Sequence, residues 1–290
     1  MNKLISVKDF SPEELRKWQL KLVEMLVYFR DFCEEHNLRF TLAAGTMLGA
    51  VRHHGFIPWD DDLDVQMPRK DYERLIELWD KYADTTKYKC ERSNKEMCVR
   101  FPMTVLRRVD TTCIYDHSIN DDICQGLKID VEFLDGVPKN SWARKFNVIC
   151  SNFLALLRTE RIPNRKSKFV RFLSKTVLFV FPSHSIRWAV SKVFEKQLMK
   201  YPFDGDFEYV RYLATPMRKK SSYEGVVYMD FEGYKMPVPK GYDEILQAYY
   251  GNYMEFPPED KRKPAIDNIV FYDLAHSYLD YKGKYYCIKK

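Results

Sequence analysis

Four of the five residues from Asp60 to Asp64 are aspartates, with Leu63 the one interruption. Carboxylates this close repel one another unless a cation or a proton lies between them. Any fold of the chain must therefore place this run at a surface or around a ligand. From Asp62 to Met67 the apolar Leu63, Val65 and Met67 alternate with Asp62, Asp64 and Gln66. A period of two predicts a half-buried strand with Asp62 and Asp64 projecting together from one face. Their hard oxygens suit Mg²⁺, with Mn²⁺ as the alternative. An EF-hand loop starting at Asp60 is excluded, because it would need Gly where Val65 stands and Glu where Asp71 stands. An acidic turn without a ligand is the other reading.

The segment before this run is unusually small in side chain: Gly45-Thr46-Met47-Leu48-Gly49-Ala50-Val51. It reads as a turn into a short helix, and Gly45 and Thr46 in such a turn let backbone N–H groups approach a phosphate. Arg52 adds a fixed charge and a bidentate fork for phosphate. His53 and His54 are candidates for phosphate contact or proton transfer, or are plain surface histidines. A third carboxylate is expected from another strand. In Lys128–Leu134, Ile129, Val131 and Phe133 share one face while Asp130 and Glu132 share the other; Asp130 is the preferred candidate. Asp135 precedes Gly136 and reads as a turn residue, with a metal or substrate role as the alternative.

Around these residues the pattern is mixed. Ser11-Pro12-Glu13-Glu14 has the form of a capping box with Pro at the first helical position. Leu15, Trp18, Leu22, Met25, Leu26 and Phe29 continue it at helical spacing to about His36. Strands are predicted at 39–43, 98–107, 128–134 and 226–229, and helices at 71–82 and 242–249. Interleaved strands and helices in the first 140 residues predict an α/β (α+β) core. Three parts follow: a core at 1–140, a basic helical segment at 141–204 broken by Pro163 and Pro182, and a C-terminal part at 205–290 packing on the core.

Charge enters the argument through the middle part. The 290 residues carry 47 Lys/Arg and 41 Asp/Glu, a net charge of +6. Between Trp142 and Lys200, thirteen Lys/Arg face only Glu160 and Glu195, a local charge of +11, which leaves −5 on the remainder. A solvated helical face, an anionic membrane, an anionic glycan and nucleic acid are the readings of such a segment. Its apolar clusters, Phe153–Leu157 and Val177–Phe181, are too short to span a bilayer but long enough to enter its interface. Met1–Phe10 holds no apolar leader segment. The seven Cys contain no C-x-x-C pair, so reduced thiols and a cytoplasmic setting are expected, with no zinc site or disulfide framework.

The stretch from Ala44 to Pro68 and beyond resembles the LicD family, to which the fukutin-related proteins also belong. The resemblance rests on Gly45-Thr46-Met47-Leu48-Gly49-Ala50-Val51-Arg52, then Pro58-Trp59-Asp60-Asp61-Asp62-Leu63-Asp64, then Met67-Pro68-Arg69-Lys70-Asp71-Tyr72. Ile129-Asp130-Val131, Leu134-Asp135-Gly136, Val238–Asp243 and Tyr250-Gly251-Asn252-Tyr253 are similar too, although the family often has Asp where Asn252 stands. It is weak over 142–200.

The resemblance implies a nucleotidyltransferase-like core of the polymerase-beta type with a mixed sheet. It implies Mg-dependent transfer of phosphocholine from CDP-choline to a hydroxyl of a cell-surface glycan, such as a teichoic acid, lipopolysaccharide or capsule precursor, with release of CMP. The acceptor is then a glycan, expected to be lipid-linked, and the enzyme works in the cytoplasm or on the inner face of the membrane, with no nucleic acid as partner. On this reading Asp62, Asp64 and Asp130 hold the metal, Asp130 or Asp60 takes the hydroxyl proton, and Gly45, Thr46, Arg52 and His54 meet the donor. The zinc element of some eukaryotic relatives has no counterpart in these Cys spacings. Transfer of ribitol- or glycerol-phosphate from the CDP-alditol, and true nucleotidyl transfer, are the enzymatic alternatives. A basic module for lipid or nucleic acid is the non-enzymatic one, and it leaves the aspartates unexplained.

Overall fold

A computed structural model describes residues 10–163, 166–264 and 266–288, apart from the side chain of Asp267. The leader reading of Met1–Phe10 falls outside these residues except for Phe10, and so does Arg165 of the basic segment.

Helix α1 (Pro12–Glu35) starts where the sequence places it. The Ser11 side chain accepts from the Glu14 N–H at 3.2 Å, and Glu14 accepts the Ser11 N–H at 2.9 Å. Leu15, Trp18, Leu22, Met25, Leu26 and Phe29 are all buried. Each such side chain contributes about 1.5–3 kcal/mol by leaving water. The chain then runs through β1 (Thr41–Leu42), α2 (Ala44–His53), β2 (Asp64–Pro68), α3 (Arg69–Tyr82), β3 (Tyr88–Glu91), β4 (Thr104–Arg108), β5 (Thr112–Tyr115) and β6 (Lys128–Gly136). Three helices follow: α4 (Ser141–Thr159), α5 (Lys168–Val180) and α6 (His184–Leu198), with breaks at Pro163 and Pro182. The last part holds β7 (Tyr209–Arg211), β8 (Arg218–Lys219), the hairpin β9 (Val226–Phe231) and β10 (Tyr234–Pro239), α7 (Tyr242–Tyr250) and β11 (Ile269–Asp273).

The main sheet has the order β1-β2-β6-β4-β3, with β7 on the far end of β6 and β8 on β7. Only β2 and β6 run parallel in it; its other pairs are antiparallel. A mixed α/β fold is therefore what the chain adopts. One hydrophobic cluster joins α1, β2 and β6 to Phe231, Met236, Val238, Ile245 and Leu246 of the C-terminal part, and β11 pairs with β5. The 205–290 part thus shares its core with the first 140 residues.

Several local expectations are corrected. The strand predicted from Asp62 starts at Asp64. Its neighbour β1 is two residues long, and its ladder ends where the Ala43 N–H meets the Asp64 carbonyl. Asp62 has no strand to orient it. Nor is β2 half-buried: Val65, Gln66, Met67 and Pro68 are all buried, the polar face being covered as well. The strand read at 98–107 is confined to Thr104–Arg108. Asp135 is not in a turn; it is a buried residue of β6.

Candidate functional site

The parallel ladder sets the centre of the site. Asp64 lies opposite Asp130, and Gln66 lies opposite Glu132. Paired residues of neighbouring strands point to the same face, so Asp64, Asp130 and Glu132 share one polar wall. The Asp130 N–H bonds the Leu63 carbonyl at 2.9 Å, which ties the Asp run to β6. Asp62 stands just before β2 and is exposed, while Asp60 and Asp64 are half-buried.

Two side chains of α1 hold the Asp run from behind. Trp18 Nε1 donates to the Asp61 carbonyl at 2.8 Å, and buried Gln19 Nε2 donates to the Asp60 carbonyl at 3.0 Å. Helix α2 holds it from the front. Gly45 and Thr46 form the first turn of α2, not a loop turn. The Thr46 hydroxyl accepts the Asp64 N–H at 2.9 Å, and a Cβ on Gly45 would stand 2.9 Å from Asp60 Oδ2. The entry to this helix is tight, with Ala44 at φ 42°, the left-handed region.

The electrostatics follow from this crowding. Burial, with Asp62 and Asp61 nearby, pushes the Asp60 carboxyl up to about 8. Asp60 and Asp62 share a hydrogen bond. Burial, then Asp62, Asp130 and Glu132, raise Asp64 well above the usual carboxylate range. Asp62 is exposed as a residue, but desolvation of its carboxyl group among these neighbours lifts it as well, although Lys128 pulls it back. Glu132 is pushed up to about 7 by burial, opposed by its bond from Gln66 Nε2 at 2.7 Å. Lys128 answers these charges. Its ammonium donates to Asp130 Oδ2 at 2.6 Å; burial works against its charge, but Asp130, Asp62 and Asp64 hold its pKa above the usual lysine value.

A hard divalent cation fits this donor set. Asp130 Oδ1 is buried without a hydrogen-bond partner among the described residues. An orphaned buried carboxylate oxygen beside carboxylates that are raised calls for positive charge. The oxygens of Asp62, Asp64 and Asp130 are not drawn into a closed shell. Among the described residues, the ligand atoms gathered within 4.8 Å of one another are those of Cys98, Glu160 and His184. There Glu160 binds His184 Nδ1 at 2.7 Å and Arg187 at 2.7 Å, and His184 Nε2 meets the Asn94 carbonyl at 2.7 Å. Those bonds close the group as an ion-pair network.

The structure gives two of the residues expected at the donor other neighbours. Arg52 does not present a bidentate fork: its Nη1 donates to the carbonyls of Tyr253 at 2.6 Å and Glu255 at 3.1 Å, and its Nε donates to His53. Stacked over Phe256 at 4.9 Å, it fastens the segment after α7 to α2. His54 is the left-handed cap at the far end of α2, with φ 55°. Nine residue steps along the helix put it about 13.5 Å along the axis from Gly45. Asp135 has a structural partner: it takes Arg69 Nε at 2.9 Å and Nη2 at 2.6 Å.

Other residues reach the site without having been expected there. Trp18 and Gln19 read as one more core position and one more helix-surface position. Lys128 was hidden among the Lys/Arg of the chain. Burial of the phenol, then the charges of Asp60, Asp64 and Asp62, raise the pKa of Tyr250, although the residue as a whole is exposed. Its neighbour Tyr249, 5.8 Å away between ring centres, is raised by burial first, with Arg218 opposing and Glu132 and Asp64 adding to the rise. Tyr250 stood in the Tyr250-Gly251-Asn252-Tyr253 stretch that carries part of the resemblance, with no role attached to it, and Tyr249 was one residue of an expected helix.

Carboxylates on adjacent parallel strands, a helix entering beside them and one lysine among them form one charged cluster on the mixed sheet. Residues 37–123 match the family model described as "LicD/FKTN/FKRP, nucleotidyltransferase domain". The chain is also 28% identical over 265 residues to the lipopolysaccharide cholinephosphotransferase LicD of Haemophilus influenzae. That alignment covers 86% of this chain and 95% of the relative. An uncharacterised protein of Rickettsia prowazekii is 32% identical over 74 residues, 23% of this chain and 28% of its own length. One of Rickettsia typhi is 38% identical over 55 residues, 19% of this chain and 18% of its own. The family model ends before Asp130, so the pairing of Asp64 with Asp130 is information from the fold.

Proposed function

We propose that this protein transfers phosphocholine from CDP-choline to a hydroxyl of a cell-surface glycan, with release of CMP, on a core of the nucleotidyltransferase type. The observation that carries the reading is the placement of Asp64 against Asp130 in adjacent parallel strands, with Asp62 and Asp60 beside them. The similarity to a lipopolysaccharide cholinephosphotransferase supports choline and a glycan acceptor.

In this reading Asp62, Asp64 and Asp130 hold Mg²⁺, or Mn²⁺ in its place, and no zinc. The bound cation neutralises charge on the diphosphate of the donor. The chain's own residues do the rest. The N–H groups of Ala44, Gly45 and Thr46 open the first turn of α2, where a helix has unpaired donors and positive dipole. Lys128 brings a second positive charge to the same phosphates. Tyr250 offers an aromatic face beside the carboxylates, which suits a quaternary ammonium. Asp60, with a carboxyl pushed up to about 8, accepts the proton of the acceptor hydroxyl. The hydroxyl oxygen forms its bond to the phosphorus that carries choline, the bond from that phosphorus to the CMP oxygen breaks, and CMP leaves with the electron pair. Asp130 is the alternative base.

The test is to incubate the protein with Mg²⁺, a glycan acceptor and CDP-choline, CDP-ribitol or CDP-glycerol in turn, and to measure CMP. Preference for CDP-choline is expected. Preference for either alditol donor would assign the alditol phosphate instead. Release of pyrophosphate from a nucleoside triphosphate would assign nucleotidyl transfer. Full activity in EDTA would remove the metal from the reading.

A further inference from the structure

The segment on which the family resemblance is weakest carries its own feature. In α5, Ser174 is the single buried residue. The inner side of the helix, Val170, Leu173 and Val177, faces Phe153 and Leu156 of α4 across a cleft of about 380 Å³. That cleft accounts for one face. On the opposite side Lys168, Phe172, Lys175 and Phe179 follow at i, i+4, i+7 and i+11, one stripe along a helix. Phe172 is 69% exposed and Phe179 83%, and Phe169 beside them is 73% exposed. Phenylalanine side chains this open are apolar surface without a partner among the described residues.

The charge around them has one sign. No Asp or Glu occurs from Arg161 to Phe194, while eight Lys or Arg do. Lys166, Lys168, Arg171 and Lys175 are exposed and make no ion pair with the described residues. Arg158, Arg187 and Lys192, by contrast, are paired to Glu195 and Glu160. Three of these unpaired cations, Lys168, Arg171 and Lys175, stand on the helix that also shows its phenylalanines.

We propose that α5 docks this protein on an anionic lipid bilayer, lying in the interface plane with Phe169, Phe172 and Phe179 inserted and Lys168, Arg171 and Lys175 at the headgroups. The chemistry is complementary on both counts: apolar rings for the acyl boundary, unpaired cations for phosphate. No described helix is long and apolar enough to cross a membrane, so the contact is a surface one. A second copy of the chain fits the same face poorly, because facing stripes would bring Lys168 and Lys175 against like charges. An anionic glycan would meet the lysines but leave the rings in water. The inference goes beyond the transfer reaction and does not depend on it. It also says where that reaction's acceptor would be met, at a lipid surface.

Cosedimentation of the full chain with vesicles tests it. Phosphatidylcholine vesicles containing phosphatidylglycerol should bind the protein at low salt and release it at high salt; pure phosphatidylcholine should bind it weakly. F172S/F179S and K168Q/K175Q should each weaken binding about tenfold or more, with helical circular dichroism unchanged. K168Q/K175Q should also flatten the salt dependence. CMP release measured without vesicles should be the same in both variants and the parent, so loss of docking and loss of transfer are read separately. Absence of binding to the anionic vesicles at low salt would overturn the proposal. So would equal binding to pure phosphatidylcholine, or a dimer in sedimentation equilibrium that F172S/F179S disperses.

Discussion

Asp62 and Asp64 carry opposite consequences for stability and for chemistry. Each is held above its ordinary pKa, by burial first and then by neighbouring carboxylates. Removing one charge relieves the others. We expect Asp62→Asn and Asp64→Asn to lose transfer activity by orders of magnitude, while stability stays level or rises by about 1 kcal/mol. CMP release and thermal melting check the two halves, and a variant with near-parental turnover would leave the metal set without that residue. Arg69 is the contrasting case. Fully surrounded, it pairs with Asp135 at 2.6 Å, with Glu73 at 3.2 Å and with Glu195 at 3.9 Å. Its guanidinium also stacks 3.3 Å over the Phe133 ring. Arg69→Met strands buried carboxylates and should cost about 3–5 kcal/mol, seen as a lower unfolding midpoint in urea. The Met-Pro-Arg motif that contains Arg69 was visible in the sequence. Its role was not, because the partner Asp135 lies 66 residues away.

Legibility differed by element in the same way. The start of α1, the break points of the basic helices and the facing pattern of β6 were readable, since caps, prolines and alternation are local signals. Strands β3, β5 and β11 were not. In β4 all five residues are buried, Arg107 and Arg108 included, which erases the alternation that marks a strand. Strand β11 pairs with β5 across more than 150 residues, a contact no local pattern records. The site suffers from the same limit: four aspartates and Asp130 were found from their spacing, but the clamps that hold them run between elements. Two substitutions test those clamps. Thr46→Val removes the acceptor for the Asp64 N–H and should cost about 1–3 kcal/mol. Trp18→Phe keeps the apolar body but loses the bond to the Asp61 carbonyl, at a cost of about 1 kcal/mol. We expect both to lower kcat more than they raise the donor KM, because each displaces the carboxylates and leaves the first turn of α2 in place. A change confined to KM would give Thr46 and Trp18 a donor-binding role instead.

For the molecule as a whole, the carboxylates divide into two sets by the sign of their shifts. Glu14, Glu232, Glu244, Asp204 and Asp273 are lowered, mostly by hydrogen bonds or ion pairs, with Asp273 down to about 2. They stabilise the fold above their unfolded pKa values, and that stability is lost in acid. Asp60 at about 8, Glu132 at about 7, and Asp62 and Asp64 are raised. Through them the folded state holds more protons than the unfolded chain between about pH 4 and 8. Their contribution is complete below the unfolded pKa and disappears as pH rises through the folded one. Stability should therefore fall by roughly 2–4 kcal/mol from pH 5 to 8, and Asp60→Asn should remove part of that fall while leaving pH 4 unchanged. Binding of Mg²⁺ requires the ionised carboxylates and releases their protons. The rise in melting temperature on adding Mg²⁺ should be larger at pH 8 than at pH 5, because at pH 5 protons already occupy the positions the cation needs. The same rise should vanish in Asp64→Asn at both pH values. A Mg²⁺ effect that is greater at pH 5, or that survives Asp64→Asn, would place the cation elsewhere on the protein and leave Lys128 as the positive charge this site has of its own.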